Sequence, residues 1–400
     1  MNTLKPRRHG MVVAALALLA VPTANARDSG LRPAYGLTIE TGWTSNMEKA
    51  VGGTPGQFLK HTHTLEIEAA AQGQALRAGL EAARSHHIGA MGPAEHSLGL
   101  DIAAERAVGP GLVLRGAIRG KAIEADEIVL FGDERVRLSG QRYEGAIEAG
   151  LIAERGDGTF LATLGYEQAL EGETEISLPG VPPQRLGANV GLASANLALR
   201  GPVGPGWSAE IGTAGQAAFV SRADTLAFGR IGSAQARLWA GLDHESETGR
   251  FALDAGVDAV LPLRPGLAPF AAPYLEAELG FALWRGAFLT ARAAAIADIF
   301  DPADGVADRV SSAGLSFTQG LADSLSLEMA LEAERTQSAI LGLVLEERRS
   351  ARFGLSLALA EPLTLTLSAA REHVSGPAGE HEDNQFTFGL RATPVAAKFD

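Results

Sequence analysis

The side chains best equipped for chemistry in this chain are histidines and charged residues. His61, His63, His86, His87, His96, His373 and His381 stand near Glu95, Glu372, Glu380, Glu382 and Asp383. Imidazole beside carboxylate is a ligand set for a divalent metal, and it titrates between about pH 5 and 8. A zinc site would need at least three such groups converging at about 2.0–2.2 Å. The alternative is a set of histidines solvated in loops. Asp298, Asp301, Asp304 and Asp308 could attract calcium but lack the EF-hand spacing and its glutamate.

Other chemistries are missing their parts. The chain has 400 residues and no cysteine, which removes disulfides, thiolate metal sites and thiol nucleophiles. No Gly-x-Ser-x-Gly elbow, His-Glu-x-x-His pair or phosphate-binding loop occurs, so neither an enzyme nor a bound cofactor is expected. Gly52-Gly53-Thr54-Pro55-Gly56 lacks a lysine and reads as loop. With 34 basic and 47 acidic residues the net charge is −13, against a nucleic-acid binder. A 46% hydrophobic and 20% charged composition suits an ordered protein.

The second set of charges is larger, and it is periodic. Along stretches such as 98–105, 143–152 and 325–334, apolar and polar residues alternate strictly. Leu325, Leu327, Met329 and Leu331 share one parity, while Ser326, Glu328 and Glu332 share the other. A period of two means strand, because successive side chains point to opposite faces. The polar parity collects the acids Glu66, Glu68, Glu81, Asp101, Glu105, Glu144, Glu148 and Glu210. It continues with Asp243, Asp254, Asp258, Glu276, Glu278, Glu328 and Glu332. Its bases are Arg77, Arg115, Arg119, Arg237, Arg292, Arg352 and Arg391, so the face is net acidic. Expected neighbours are Glu68 with Arg77, Asp101 with Arg115, and Asp243 with Arg250. In water such pairs contribute only about 0–1 kcal/mol each. Lining a pore, the same charges would sort solutes by sign.

Eighteen such strands are predicted, approximately 35–46, 62–72, 74–85, 95–107, 110–122, 141–155, 158–170, 187–200 and 206–219, then 233–245, 249–262, 272–284, 286–298, 308–319, 323–335, 348–359, 362–373 and 384–393. Most exceed the usual globular strand of about 5–6 residues and match the 9–11, plus overhang, of a tilted membrane-crossing strand. Eight tight connections alternate without exception with nine longer ones. In an antiparallel meander this sorts all short turns to one end and all long loops to the other.

The N-terminus agrees with that placement. Lys5, Arg7 and Arg8 precede an unbroken apolar run from Met11 to Val21, then Ala24-Asn25-Ala26 as a cleavage site. This is a secretory signal peptide over residues 1–26, too short to span a bilayer. Its removal leaves 31 basic and 47 acidic residues. Residues 27–34 are then a short periplasmic segment, with no room for a plug domain, and 35–400 a single barrel.

With its signal peptide, alternating strands, sorted loops and near-terminal Phe399, the chain resembles the bacterial outer-membrane β-barrel superfamily in architecture. It ends Lys398-Phe399-Asp400, one residue off the terminal aromatic of many such families. The resemblance implies an all-β, antiparallel up-and-down transmembrane barrel with short periplasmic turns, long extracellular loops and both termini periplasmic. Its implied partners are outer-membrane lipid and, during biogenesis, the barrel-assembly machinery. Passive diffusion of small hydrophilic solutes is the first functional reading. An export barrel fed by a periplasmic partner and a plugged surface receptor are the alternatives. In general porins the third loop narrows the pore, which would make 123–140 the constriction. Val136 and Leu138 alternating with Arg135 and Arg137 favour instead a hairpin prolonged outward to Gly132-Asp133.

Overall fold

The computed structural model describes residues 32–47, 53–71, 73–88, 93–131, 134–300, 302, 305–377 and 379–392. Residues 1–26, read above as a signal peptide, Gly132-Asp133, Asp301, Asp304 and Lys398-Phe399-Asp400 lie outside them.

Period-two alternation produces strands throughout. The first group is β1 (Arg32–Thr44), β2 (Gly56–Ala71), β3 (Gln74–Ile88), β4 (Ala94–Gly109), β5 (Leu112–Phe131), β6 (Glu134–Arg155) and β7 (Gly158–Glu171). A two-residue β8 (Glu175–Ile176) precedes β9 (Val190–Gly204), β10 (Trp207–Val220), β11 (Ser233–Ser246), β12 (Gly249–Pro262) and β13 (Phe270–Trp284). The chain continues with β14 (Ala287–Asp298), β15 (Asp308–Ala322), β16 (Leu325–Ser338), β17 (Val344–Ala360), β18 (Leu363–Gly376) and β19 (Gly379–Ala392). Each pairs antiparallel with its sequence neighbours, except that β7 passes over β8 to pair with β9. β8 lies instead on Leu138 and Ser139 of β6. The result is an eighteen-stranded antiparallel barrel, closed by β1 on β19 from Leu37↔Ala392 to Thr44↔Gln385. Closure leaves no open edge, which is what hydrocarbon demands of a sheet.

Buried Asp383 fastens that seam. It accepts hydrogen bonds from Thr44 Oγ1 at 2.5 Å, the Asn46 backbone N–H at 3.2 Å and Gln385 Nε2 at 2.6 Å.

Every turn at one end of the barrel is two residues long. Gly73, Gly111, Gly156, Gly206 and Gly286 supply the positive φ that tight hairpins require. Two predicted boundaries move accordingly: β9 runs on to Gly204 and β15 to Ala322, where looser turns were expected. The opposite end carries connections of variable length, and not all are long as expected: the ninth, 374–383, is strand out to Gly376↔Gly379. β5 and β6 pair as far as Phe131↔Glu134, so the third connection is the prolonged hairpin, not an inward loop. The fifth holds a helix the alternation does not foretell, α1 (Arg222–Phe228), capped by Ser221 accepting from Asp224 N and ended by Gly229 at φ 70°.

The apolar parity is uncovered along most of the wall: Leu100, Leu238, Leu331 and Phe386 stay 44–57% exposed. One compact core does form, from Val190, Leu192, Ala218, Val260, Ala272, Ala297, Ile299 and Ala307.

Candidate functional site

Register carries all twenty-two charged residues singled out above onto the parity opposite Leu80, Leu100 and Leu327. Glu68 faces Arg77 while Leu65 faces Leu80, and Asp101 faces Arg119 while Leu100 faces Gly120. Thr38 faces Arg391 across the closing seam, and Ala330 faces Arg352.

The ion pairs are not always the expected ones. Arg77 reaches diagonally to Glu66 at 3.2 Å, although Glu68 stands opposite it. Asp101 pairs with Arg119 at 3.0 Å and not with Arg115, which turns to Glu148 at 3.8 Å. Asp243 takes Arg200 at 3.0 Å and not Arg250, which meets Glu278 at 3.7 Å beside Arg292 at 3.0 Å. The cause is reach: an arginine spans the diagonal between strands as readily as the direct pair. Arg200 and Lys121 belong to the same face, in stretches where small residues blunt the alternation that marks the other charges. Glu81, Glu105 and Glu328 have no ion pair among the described residues, so pairing leaves the face net acidic.

One sector of this face is dry. Trp239 lies against Gly212, where a Cβ would collide with its ring, and donates Nε1–H to Glu210 at 3.2 Å. Arg237 stacks over Tyr274 at 3.9 Å and donates to both oxygens of Asp258, at 2.7 and 3.1 Å. Asp258 is fully buried and also accepts the Ala297 N–H at 3.1 Å. That last bond explains the dryness, because Ala297 lies at the end of β14, two strands away. Beyond Ala295 that strand leaves β13, and Ala297, Ile299, Phe300 and Ala307 pack over the charged parity of β9–β13.

Arg230 holds the folded segment. It donates to the carbonyls of Ile299 at 2.7 Å, Phe300 at 2.8 Å, Gly305 at 2.9 Å and its neighbour Ile231 at 3.0 Å. Ser233 Oγ donates to Val306 O at 3.0 Å and Gln235 Nε2 to Ala297 O at 3.2 Å. The inward element is thus the seventh connection, not the third. No local signal marks it, since Arg230 sits in a loop and its partners lie about 70 residues onward.

The histidines are strand residues, not loop residues, because the hairpins keep pairing beyond the width a bilayer requires. Alternation divides them. His87 and His381 take the charged parity, His87 Nδ1 lying 3.2 Å from Pro93 O. His61, His63, His86, His96 and His373 take the apolar parity. Among the described residues no three histidine or acidic groups converge as a metal site.

No protein-family model matches the chain, and no curated protein does. Solved structures do, at low identity. The ferric preacinetobactin receptor BauA of Acinetobacter baumannii aligns with a TM-score of 0.54 and 9% identity over 90% of this chain and 80% of its own. A mutant of the ferric enterobactin receptor PfeA of Pseudomonas aeruginosa gives 0.52 and 9% over 91% and 81%. The copper transporter OprC gives 0.52 and 8% over 91% and 80%. With its eighteen long strands antiparallel in one meander and β1 closed on β19, this chain has the fold of the bacterial outer-membrane β-barrel proteins.

Proposed function

We propose that the protein is a bacterial outer-membrane channel through which small hydrophilic solutes diffuse passively, its charged parity lining an aqueous lumen. The transport roles named for the similar structures support outer-membrane transport as the general class. The observation that carries the finer reading is the wetness of the charged face. Arg119 and Asp101 keep their side chains 66% and 50% exposed, and Arg292 69%. A filled barrel would cover such pairs, whereas an eighteen-stranded one is wide enough for water. Lipid then meets the apolar parity, both termini lie on the periplasmic side with the two-residue turns, and the 299–307 segment narrows the mouth.

Purified protein in a planar bilayer is expected to show stepwise conductance with cations favoured over anions, since acids outnumber bases along the lumen. A silent protein overturns the channel, and an anion preference overturns the assignment of the wall. Arg230→Met is expected to release the 299–307 segment, raising the conductance step and its open-channel noise and exposing the segment to protease. An unchanged step and cleavage pattern would show that Arg230 does not hold a constriction.

A further inference from the structure

Toward the long-connection end, the apolar face acquires charge. On β16–β19 each basic side chain there has an acidic partner. Arg371 pairs with Glu382 at 2.9 Å, Arg335 with Glu347 at 3.5 Å, Arg349 with Glu347 at 3.9 Å, and His373 with Glu380 at 3.4 Å.

The sector on β2–β4 differs. His61, His63, Arg84, His86 and His96 share the parity of Leu65, Leu80 and Leu98, with His61 opposite Arg84 and Arg84 opposite His96. Among the described residues no ion pair or hydrogen bond engages Arg84. His86 Nδ1 is likewise buried without a hydrogen-bond partner among them. His63 Nδ1 meets Tyr35 Oη at 2.6 Å. His61, His63, Arg84 and His96 line an open depression of about 400 Å³ that also includes Glu124 and Tyr143, with His86 one step further along the same face of β3. Glu124 stands opposite His96, on the far side from Arg84.

Height along the wall fixes what this depression meets. Arg84 stands eleven residues beyond the Gly73 turn, and a tilted strand crosses the hydrocarbon in about 9–11. The cluster therefore lies at the level of the outer head groups, where tyrosines such as Tyr35 and Tyr143 are favoured. An arginine facing lipid without a partner is costly, and a counter-anion offsets that cost.

We propose that Arg84, with His61, His63, His86 and His96, binds the phosphate group of a phosphorylated lipid in the outer leaflet. The guanidinium fork suits two phosphate oxygens, and the imidazoles add N–H donors around them. A metal is disfavoured by the cation at the centre of the cluster, and a zwitterionic head group offers only a phosphodiester whose single charge its own ammonium already balances. The proposal rests on the apolar face meeting lipid. It does not rest on conduction, so conductance and lipid binding can fail separately.

Native mass spectrometry of the micelle-solubilised protein tests this, with phosphatidic acid as the phosphomonoester lipid, phosphatidylcholine as the neutral-headed one and inorganic phosphate as the free anion. Wild type is expected to retain phosphatidic acid at least about tenfold better than phosphatidylcholine. Arg84→Gln should abolish that preference, Arg84→Lys should keep part of it, and Arg371→Gln, in the paired sector, should leave it intact. Arg84→Gln removes an unpaired charge from the lipid face, so its barrel should fold at least as well as wild type. Equal retention of the two lipids, or an unaltered preference in Arg84→Gln, would overturn the site. Inorganic phosphate bound as tightly as phosphatidic acid would overturn the lipid as its source.

Discussion

An arginine at Leu100, Ile147, Leu327 or Leu355 is expected to cost about 2–4 kcal/mol of folding stability near the bilayer midplane. Each position lies on the uncovered apolar parity: Ile147 faces Ile118, and Leu327 faces Leu355. The guanidinium would displace hydrocarbon contacts and find no acidic partner in lipid. The matched controls are Glu148→Arg and Glu328→Arg, on the opposite parity of the same strands. Glu148 lies 3.8 Å from Arg115 with both side chains well exposed. Reversing its charge in water should cost no more than about 1 kcal/mol. Urea titrations of folding into lipid vesicles read the difference directly. Equal losses in the two groups would mean that the faces are assigned the wrong way round.

Asp258→Ala should destabilise by about 3–5 kcal/mol, the usual loss when one member of a buried ion pair is removed. Its carboxylate is wholly buried, receives two hydrogen bonds from Arg237 and accepts the Ala297 N–H. Without it the Arg237 charge remains half-buried over Tyr274, and the end of β14 loses its tie to β12. Asp258→Asn keeps one acceptor oxygen and most of the shape, so a smaller loss is expected. The same vesicle titrations, combined with amide exchange across 295–307, distinguish the two variants. An Asp258→Ala protein as stable and as protected as wild type would show that the folded segment stands without this clamp.

The strands were legible because the solvent writes them into the sequence. A wall between lipid and water must alternate, and Leu325, Leu327, Met329 and Leu331 against Glu328 and Glu332 leave one facing only. Parity and strand number follow from that local rule, as does the apolar-face position of His61 and His63, whereas the length of the connections does not, since β5–β6 and β18–β19 pair out to Phe131↔Glu134 and Gly376↔Gly379. Which arginine meets which acid does not follow. Arg77 opposes Glu68 but reaches Glu66, because a long side chain chooses among direct and diagonal partners according to the twist of the finished sheet.

The inward segment lay further out of reach. Arg230, Ser233, Gln235 and Asp258 grip 297–306 from 39 to 75 residues away, through backbone carbonyls and one N–H that every sequence possesses. Such bonds leave no pattern in residue type. Alternation therefore determined the wall of this barrel and its two faces, while only the tertiary packing of the end of β14 on β9–β13 decided which connection folds onto the charged face.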